Sequence, residues 1–224
     1  MPDRTDLLPE PLPTEPLTLA QSWLAQAWSE RRQPNPNAMV LATATRDCHP
    51  SARVVLCKDI QAVPGFVVFY TNYESRKGHE LAANARAAVV MHWDHHERQV
   101  RIEGLVVKAP DADSDAYFAS RAIESRIGAW ASQQSQPLAS RRQLLNAVDA
   151  AAQTLGVKER TEGKDVQVPR PPHWGGYRLW ADAVELWVAG AARIHDRARW
   201  TRTLTPRTDT EFDTGPWSAT RLQP

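Results

Sequence analysis

The 224-residue chain sets 27 Lys and Arg against 26 Asp and Glu, for a formal charge of +1, with 42% hydrophobic and 24% charged residues. That is ordinary globular composition, and the charge balance argues against a general nucleic-acid binder. No run approaches the ~20 apolar residues of a membrane span. Two cysteines, Cys48 and Cys57, argue against a disulfide scaffold or a cysteine-built zinc site, and the acidic, proline-broken opening MPDRTDLLPEPLP is not a secretory signal. The expected location is the cytoplasm.

In chain order, residues 1–15 read as a flexible lead-in and 16–224 as a single domain. The first helix is expected to be capped near Thr14, to carry Ala20, Trp23, Leu24 and Ala27 on one face, and to end by Pro34 and Pro36. Five β-like runs follow at 38–45, 51–58, 66–71, 86–93 and 98–108, separated by turn chemistry. Gln99 to Glu103 alternates strictly, so one face of that strand is polar and the other buried. Residues 111–156 read as helical. A polar linker with Gly163 and the Pro169–Pro172 knot leads to a second β region at 177–181, 184–188, 193–202 and 217–222. Short strands without βαβ alternation favour an antiparallel barrel or curled sheet with helices outside. Neither GxGxxG nor GxxxxGK[ST] occurs.

Four segments concentrate polar groups in apolar surroundings. Arg53-Val54-Val55-Leu56-Cys57-Lys58 places Arg53, Val55 and Cys57 on one strand face and Val54, Leu56 and Lys58 on the other. In Tyr70 to Gly78, Ser75 can cap a helix whose first turn holds Arg76 and Lys77. Cations there oppose the helix dipole, and a bound phosphate resolves the conflict. Tyr117 and Arg121, spaced i,i+4, are read as sharing a helix face with Ser125 close behind. Arg193, His195 and Arg197 alternate and are read as projecting from one strand face. Each segment alone also fits solvated surface. His92, His95 and His96 read as surface histidines at a hairpin turn, Cys57 as a buried strand residue, and Trp23, Trp28 and Trp180 as packing residues.

Taken in order, RVVLCK (53–58), FYTNYESRKGHELAAN (69–84), ERQVRIEG (97–104), YFASR…S…IGAWASQQS (117–135), WGGYR (174–178) and ELWVAGAARIHDR (185–197) resemble the pyridoxine/pyridoxamine 5′-phosphate oxidase family, as does the terminal WSATRLQP. The resemblance implies a mainly β protein with peripheral helices (α+β), an FMN-binding split β-barrel, dimerised with itself so that one FMN lies at each of two subunit interfaces. It implies that Arg53, Arg76 and Lys77 surround the FMN phosphate, with the 53–58 strand (Val54, Val55, Leu56, Cys57, Lys58) and Ser75 against the cofactor. Tyr70, Thr71 and Gln99 would contact the flavin, and Gln134, Ser135, Trp187 and Arg197 would complete the cofactor site, partly from the other subunit. Lys58, Tyr117, Arg121 and Ser125 would grip the substrate phosphate. Arg193 and His195 would lie over the pyridine ring as the catalytic pair, and no metal is implied.

The implied reaction is oxidation of pyridoxamine or pyridoxine 5′-phosphate by O2 to pyridoxal 5′-phosphate, releasing H2O2 and, from the amine, ammonia. Residues 1–11 do not match the segment that in family members folds over the substrate, and Ala189-Gly190-Ala191-Ala192 departs from the usual loop before Arg193. Two other readings are an oxidase of the same fold acting on another aromatic substrate, as in phenazine biosynthesis, and a non-catalytic flavin- or pyridoxal-phosphate-binding protein. The first would not require the substrate-phosphate set. The second would be yellow yet consume no O2.

Overall fold

The alternation at 98–108 forms strand β6 (Arg98–Lys108), the centre of the architecture. The structure, a computed structural model, describes residues 7–157 and 167–224, so residues 1–6 of the expected lead-in and the Gly163 stretch of the linker lie outside the described residues. These form α1 (Pro16–Glu30), β1 (Ala38–Ala44), β2 (Pro50–Leu56), β3 (Asp59–Gln61), β4 (Phe66–Asn72), α2 (Arg76–Ala83), β5 (Arg86–Trp93), β6, α3 (Asp111–Ser120), α4 (Ile123–Ala131), α5 (Arg141–Thr154), β7 (Trp174–Val188), β8 (Asp196–Thr201), β9 (Leu204–Pro206), β10 (Phe212–Thr214) and β11 (Ser218–Leu222).

The main sheet runs β11-β8-β7-β6-β5-β1-β2, with β4 on β7 and β3 on β4, every pairing antiparallel. The Lys58 N–H donates to Val68 O (2.8 Å), which ties the end of β2 to β4 and curls the sheet into a split barrel. One edge of β7 pairs with β6 over Tyr177–Val188. The opposite edge pairs with β4 over Trp174–Trp180 and with β8 over Ala183–Val188. The expected strands 177–181 and 184–188 are therefore one. The interruption near Asp182 is absorbed by a register shift opposite Glu103 and Gly104. Gly104 is required there, since a Cβ would lie 1.8 Å from Trp180 O.

Inward-facing Met39, Leu41, Val67, Phe69, Met91, Trp93, Ile102, Leu179 and Leu186 are fully buried, each burial contributing roughly 1.5–3 kcal/mol. Helix α1 covers one end of this core with Leu17, Ala20, Trp23 and Ala27. Within the expected lead-in, Leu8 is buried, its N–H donates to Asp196 Oδ2 (2.9 Å), and Pro13 O accepts from the Trp200 indole (2.8 Å).

Several local expectations are corrected. Thr14 does not cap α1: Glu15 holds the cap position without a side-chain bond, and Pro16, whose fixed φ suits a first turn, starts the helix. The helix stops at Arg31, in the left-handed region, before either proline. Trp28 is exposed, whereas Trp23 and Trp180 are buried. The helical stretch 111–156 is three helices, because the backbone turns extended at Arg121 and Ser132. Arg193 does not precede His195 on a strand: Ala191–Arg193 form a 3-10 turn, with Ala192 and Arg193 at φ +52° and +64°, and β8 begins only at Asp196.

Candidate active site

Strand β4 ends in Tyr70-Thr71-Asn72, and the chain turns directly into α2. Ser75 caps α2 by accepting from the Gly78 N–H (3.4 Å). Gly78 lets the turn close against β4, because a Cβ would meet Tyr73 O at 1.9 Å. The first turn carries Arg76 and Lys77 and no acid. The Lys77 ammonium is buried and donates to Thr71 Oγ1 (3.1 Å), Ser75 Oγ (3.0 Å) and Gln134 Oε1 (2.6 Å), all neutral acceptors. Burial, followed by the Arg53 charge, pushes its pKa down to about 8. A cation so placed is stabilised by any anion that enters beside it.

Lys77 and Gln134 open onto a cavity of about 500 Å³. Val54, Val55 and Leu56 of β2, with Lys58, form one wall, and Tyr70, Thr71 and Asn72 form another. The far wall comes from Tyr117, Arg121 and Ser125, with Gly128, Ala129, Ser132 and Trp174. Tyr70 stacks on Tyr117 (4.0 Å between centroids) and on Trp174 (5.6 Å). The Arg121 guanidinium lies 4.7 Å from the Trp174 ring centre, and Lys58 Nζ lies 5.4 Å from that of Tyr117. Arg121 Nη1 is buried with no hydrogen-bond partner, an omission costing about 1–3 kcal/mol. Tyr117 and Arg121 thus meet at the cavity, though not on one helix face: α3 ends at Ser120 and Arg121 is extended.

Arg53 stands behind this wall. It donates to Leu41 O (3.2 Å), to the Thr43 and Ser51 hydroxyls, and to Glu80 Oε2 (3.1 Å). Glu80 is 4% exposed; it accepts from Arg76 Nε (2.9 Å), Ser51 (2.6 Å) and Thr43 as well. Burial alone raises its carboxyl, but the bonds from Ser51, Thr43, Arg76 and Arg53 outweigh it and hold the pKa at about 2. Glu80 therefore fixes two of the expected phosphate cations in one arrangement. Sequence reasoning missed it: the i,i+4 spacing to Arg76 was the available signal. Ser135, φ +75°, lies with Arg76 and Glu80 in an adjoining cleft rather than in the main cavity. Cys57 faces the core, and burial pushes its thiol up to about 12. Asn72, Ser132 and Trp174 line the cavity without having been singled out; Asn72 Nδ2 donates to Ser132 O (3.3 Å).

The remaining expected residues form a second group. Gln99 pairs with Trp187, and Trp187 with Arg197, across β6, β7 and β8. Buried Glu185 accepts from Arg197 (2.8 Å) and Arg101 (2.6 Å). His195 lies against Trp187 (4.7 Å between centroids), and its Nδ1 accepts from the Gly190 N–H (3.1 Å), placing the neutral ring's proton on Nε2. Arg193 is exposed, and Ile194 is 73% exposed. None of Gln99, Trp187, Arg193, His195 or Arg197 lines the cavity of their own chain.

The sequence matches the family pattern described as pyridoxamine 5′-phosphate oxidase over residues 26–154, and the pyridoxine 5′-phosphate oxidase C-terminal dimerisation region over 174–224. It is 50% identical over 191 residues to a pyridoxine/pyridoxamine 5′-phosphate oxidase of Paracoccus denitrificans, covering 84% of this chain and 82% of the relative. Identity to the enzyme of the same name in Methylibium petroleiphilum is 48% over 211 residues, covering 94% and 89%. Among solved structures, PhzG from Burkholderia lata, in complex with tetrahydrophenazine-1-carboxylic acid, superposes with TM-score 0.80 at 33% identity, covering 95% of this chain and 94% of that one. An FMN-binding protein of Nostoc punctiforme shares the fold, with TM-score 0.65 at 13% identity, over 92% and 96%. Fold and relatives define the class, a split-barrel oxidoreductase. The chain belongs to the pyridoxine/pyridoxamine 5′-phosphate oxidase family, an FMN-binding family.

Proposed function

We propose that this chain binds FMN and oxidises pyridoxamine or pyridoxine 5′-phosphate with O2 to pyridoxal 5′-phosphate, giving H2O2 and, from the amine, ammonia. The observation that carries the reading is one cavity facing two separate cationic corners, neither satisfied by a carboxylate. Lys77 is buried among neutral acceptors, and Arg121 has a buried Nη1 without a partner. Two corners suit two phosphates, one on the cofactor and one on the substrate.

The donor set fits FMN. Lys77 and Ser75, backed by Arg53 and Arg76 on Glu80, would hold its phosphate, with Thr71, Gln134 and the 54–56 strand beside the ring system. Bound there, FMN supplies the two-electron chemistry, taking electrons from the substrate and returning them to O2. Lys58, Tyr117, Arg121 and Ser125 would hold the substrate phosphate and so fix where its reacting carbon lies.

Gln99, Trp187, Arg193, His195 and Arg197 lie outside that cavity, which supports a homodimer in which one subunit's cavity is closed by the other's second group. His195, whose Nδ1 accepts from the Gly190 N–H, and Arg193 would then orient the substrate ring and handle its proton. Residues 16–224 act in this reading as one FMN-binding domain. Among the described residues no helix is long and apolar enough to cross a membrane.

The likeness to PhzG favours a second reading, an aromatic substrate without a phosphate. Lys58, Tyr117, Arg121 and Ser125 together at one corner weigh against it. Purified protein should show a flavin spectrum that bleaches on anaerobic addition of pyridoxamine 5′-phosphate and returns with O2. A yellow protein that is not bleached overturns the proposal; equal turnover of the substrate without its phosphate favours the second reading.

A further inference from the structure

Away from the cavity, the end of α1 meets the turn between β5 and β6. Glu30 is the last residue of α1, and Asp94–His96 form a 3-10 turn closed by Glu97 at φ +53°. The hairpin expected around the histidines is therefore present, and helix α1 adds a carboxylate to it. Glu30, His95 and His96 present ligand atoms that all lie within 4.8 Å of one another. The two imidazole rings are 3.9 Å apart. His96 stands out: its side chain is only 9% exposed, yet Nε2 has no hydrogen-bond partner and points toward Glu30 Oε2 at 3.6 Å. A buried ring nitrogen without a partner is costly unless something else binds it.

We propose that Glu30, His95 and His96 form a binding site for a divalent transition cation of the zinc class, held by two imidazole nitrogens and one carboxylate oxygen, with water completing the shell. Imidazole and carboxylate are the donors such ions take, whereas Mg2+ prefers oxygen alone. Donors about 2.1 Å from a shared ion stand no more than about 4.2 Å apart. The ion therefore draws in the exposed His95 and Glu30 side chains while His96, the least exposed of the three, stays fixed.

Two further features suit a cation. Gln26 Nε2 donates to Glu30 Oε1 (2.9 Å), orienting the carboxylate and leaving Oε2 facing the histidines. The C-terminal end of α1 carries the negative pole of its dipole. Arg32, 3.7 Å from Glu30, and Arg98 on β6 oppose the ion and keep the site weaker than a closed four-ligand one. Occupied, it clamps the end of α1 to the β5–β6 turn, and none of its three ligands lines the main cavity.

The test is calorimetric titration of ZnCl2 into tag-free, FMN-loaded, full-length protein carrying Cys48→Ser, with melting followed in parallel. One Zn2+ per chain and a raised Tm are expected, with no effect of MgCl2. His96→Ala and Glu30→Gln should each weaken Zn2+ about tenfold or more, while His92→Ala, outside the cluster, should not. If His96→Ala misfolds by circular dichroism or FMN content, His95→Gln and Glu30→Gln, both at exposed positions, carry the comparison. Absence of saturable Zn2+ binding, or binding that these substitutions leave unchanged, overturns the site.

Discussion

The two groups of candidate site residues differ in how their charges are satisfied. In the cavity, Lys77 and Arg121 are desolvated and meet only hydroxyls, an amide and aromatic faces. On the β6–β8 face, Arg101 and Arg197 already hold Glu185 between them, and Arg199 holds Glu103. The first region leaves its two cations without a carboxylate partner, whereas in the second each of these three arginines holds a carboxylate. Under the proposed function the first region binds and the second presents Trp187 and His195 to the partner subunit. Glu80 organises the cavity's outer cations, Arg53 and Arg76, and makes no bond to Lys77.

The largest effect should come from separating the two regions. Val40 is 43% exposed and faces Val54 (64%) and Val90 across the strands, an apolar strip at the cavity rim. If the proposed twofold dimer covers that strip, Val40→Asp buries an unpaired charge in each subunit, each costing about 3–5 kcal/mol. Sedimentation should then show monomers that have lost FMN. A monomer that keeps stoichiometric flavin would refute the shared site.

Next comes the organiser. Glu80→Ala leaves Arg53 and Arg76 without their buried carboxylate and should lower stability by about 3–5 kcal/mol in urea melts. Glu80→Gln keeps the shape and some hydrogen bonds, so it should recover part of that loss while still weakening FMN. Equal stability of both variants with the native protein would show that Glu80 does not organise the corner.

Smaller, and more discriminating, is the contrast between corners. Arg121→Ala and Lys77→Ala each remove a charge-assisted bond of about 1.5–3 kcal/mol, or roughly 10- to 150-fold in affinity. Arg121→Ala should raise KM for pyridoxamine 5′-phosphate and stay yellow. Lys77→Ala should lose FMN and regain activity when FMN is supplied in excess. The reverse pattern would mean the phosphates are assigned to the wrong corners.

How far the sequence reached follows the same physics. Strands β5 and β6 were legible to the residue, because half-buried strands alternate. Strand β7 read as two pieces, since a strand buried on both faces shows no alternation and Asp182 resembles a break. Ser75 and the cationic first turn of α2 were legible because capping is local. Arg193 and His195 were misread as one strand, since a left-handed Arg193 leaves no mark in side-chain pattern. Only half of Glu80's role was legible: its i,i+4 spacing to Arg76 is local, but its partner Arg53 lies 27 residues away, and only the fold joins them.

The smallest effect is a titration that sets the cavity apart from the balanced face. With Lys77 at about 8 in the free chain, well below the ordinary 10.5, an anion beside it restores the higher value. Lys77 should therefore add no pH dependence to FMN binding below pH 7, where it is charged with or without FMN, and FMN binding should take up a proton above pH 8. Affinity should fall by about tenfold between pH 8 and 9.5, close to the 1.4 kcal/mol of one pKa unit. The contribution of Lys77 to the stability of the free protein runs the other way. Its folded pKa lies below its unfolded one, so the unfolded chain binds more protons between pH 8 and 10.5, and stability rises across that window. Lys77→Met, which cannot titrate, should flatten both slopes. Measuring FMN affinity by fluorescence and stability of the flavin-free protein by urea, each against pH, should give slopes of opposite sign. Slopes of the same sign, or a Lys77→Met variant that keeps the fall in affinity, would show that the charge sensed by FMN is not that of Lys77.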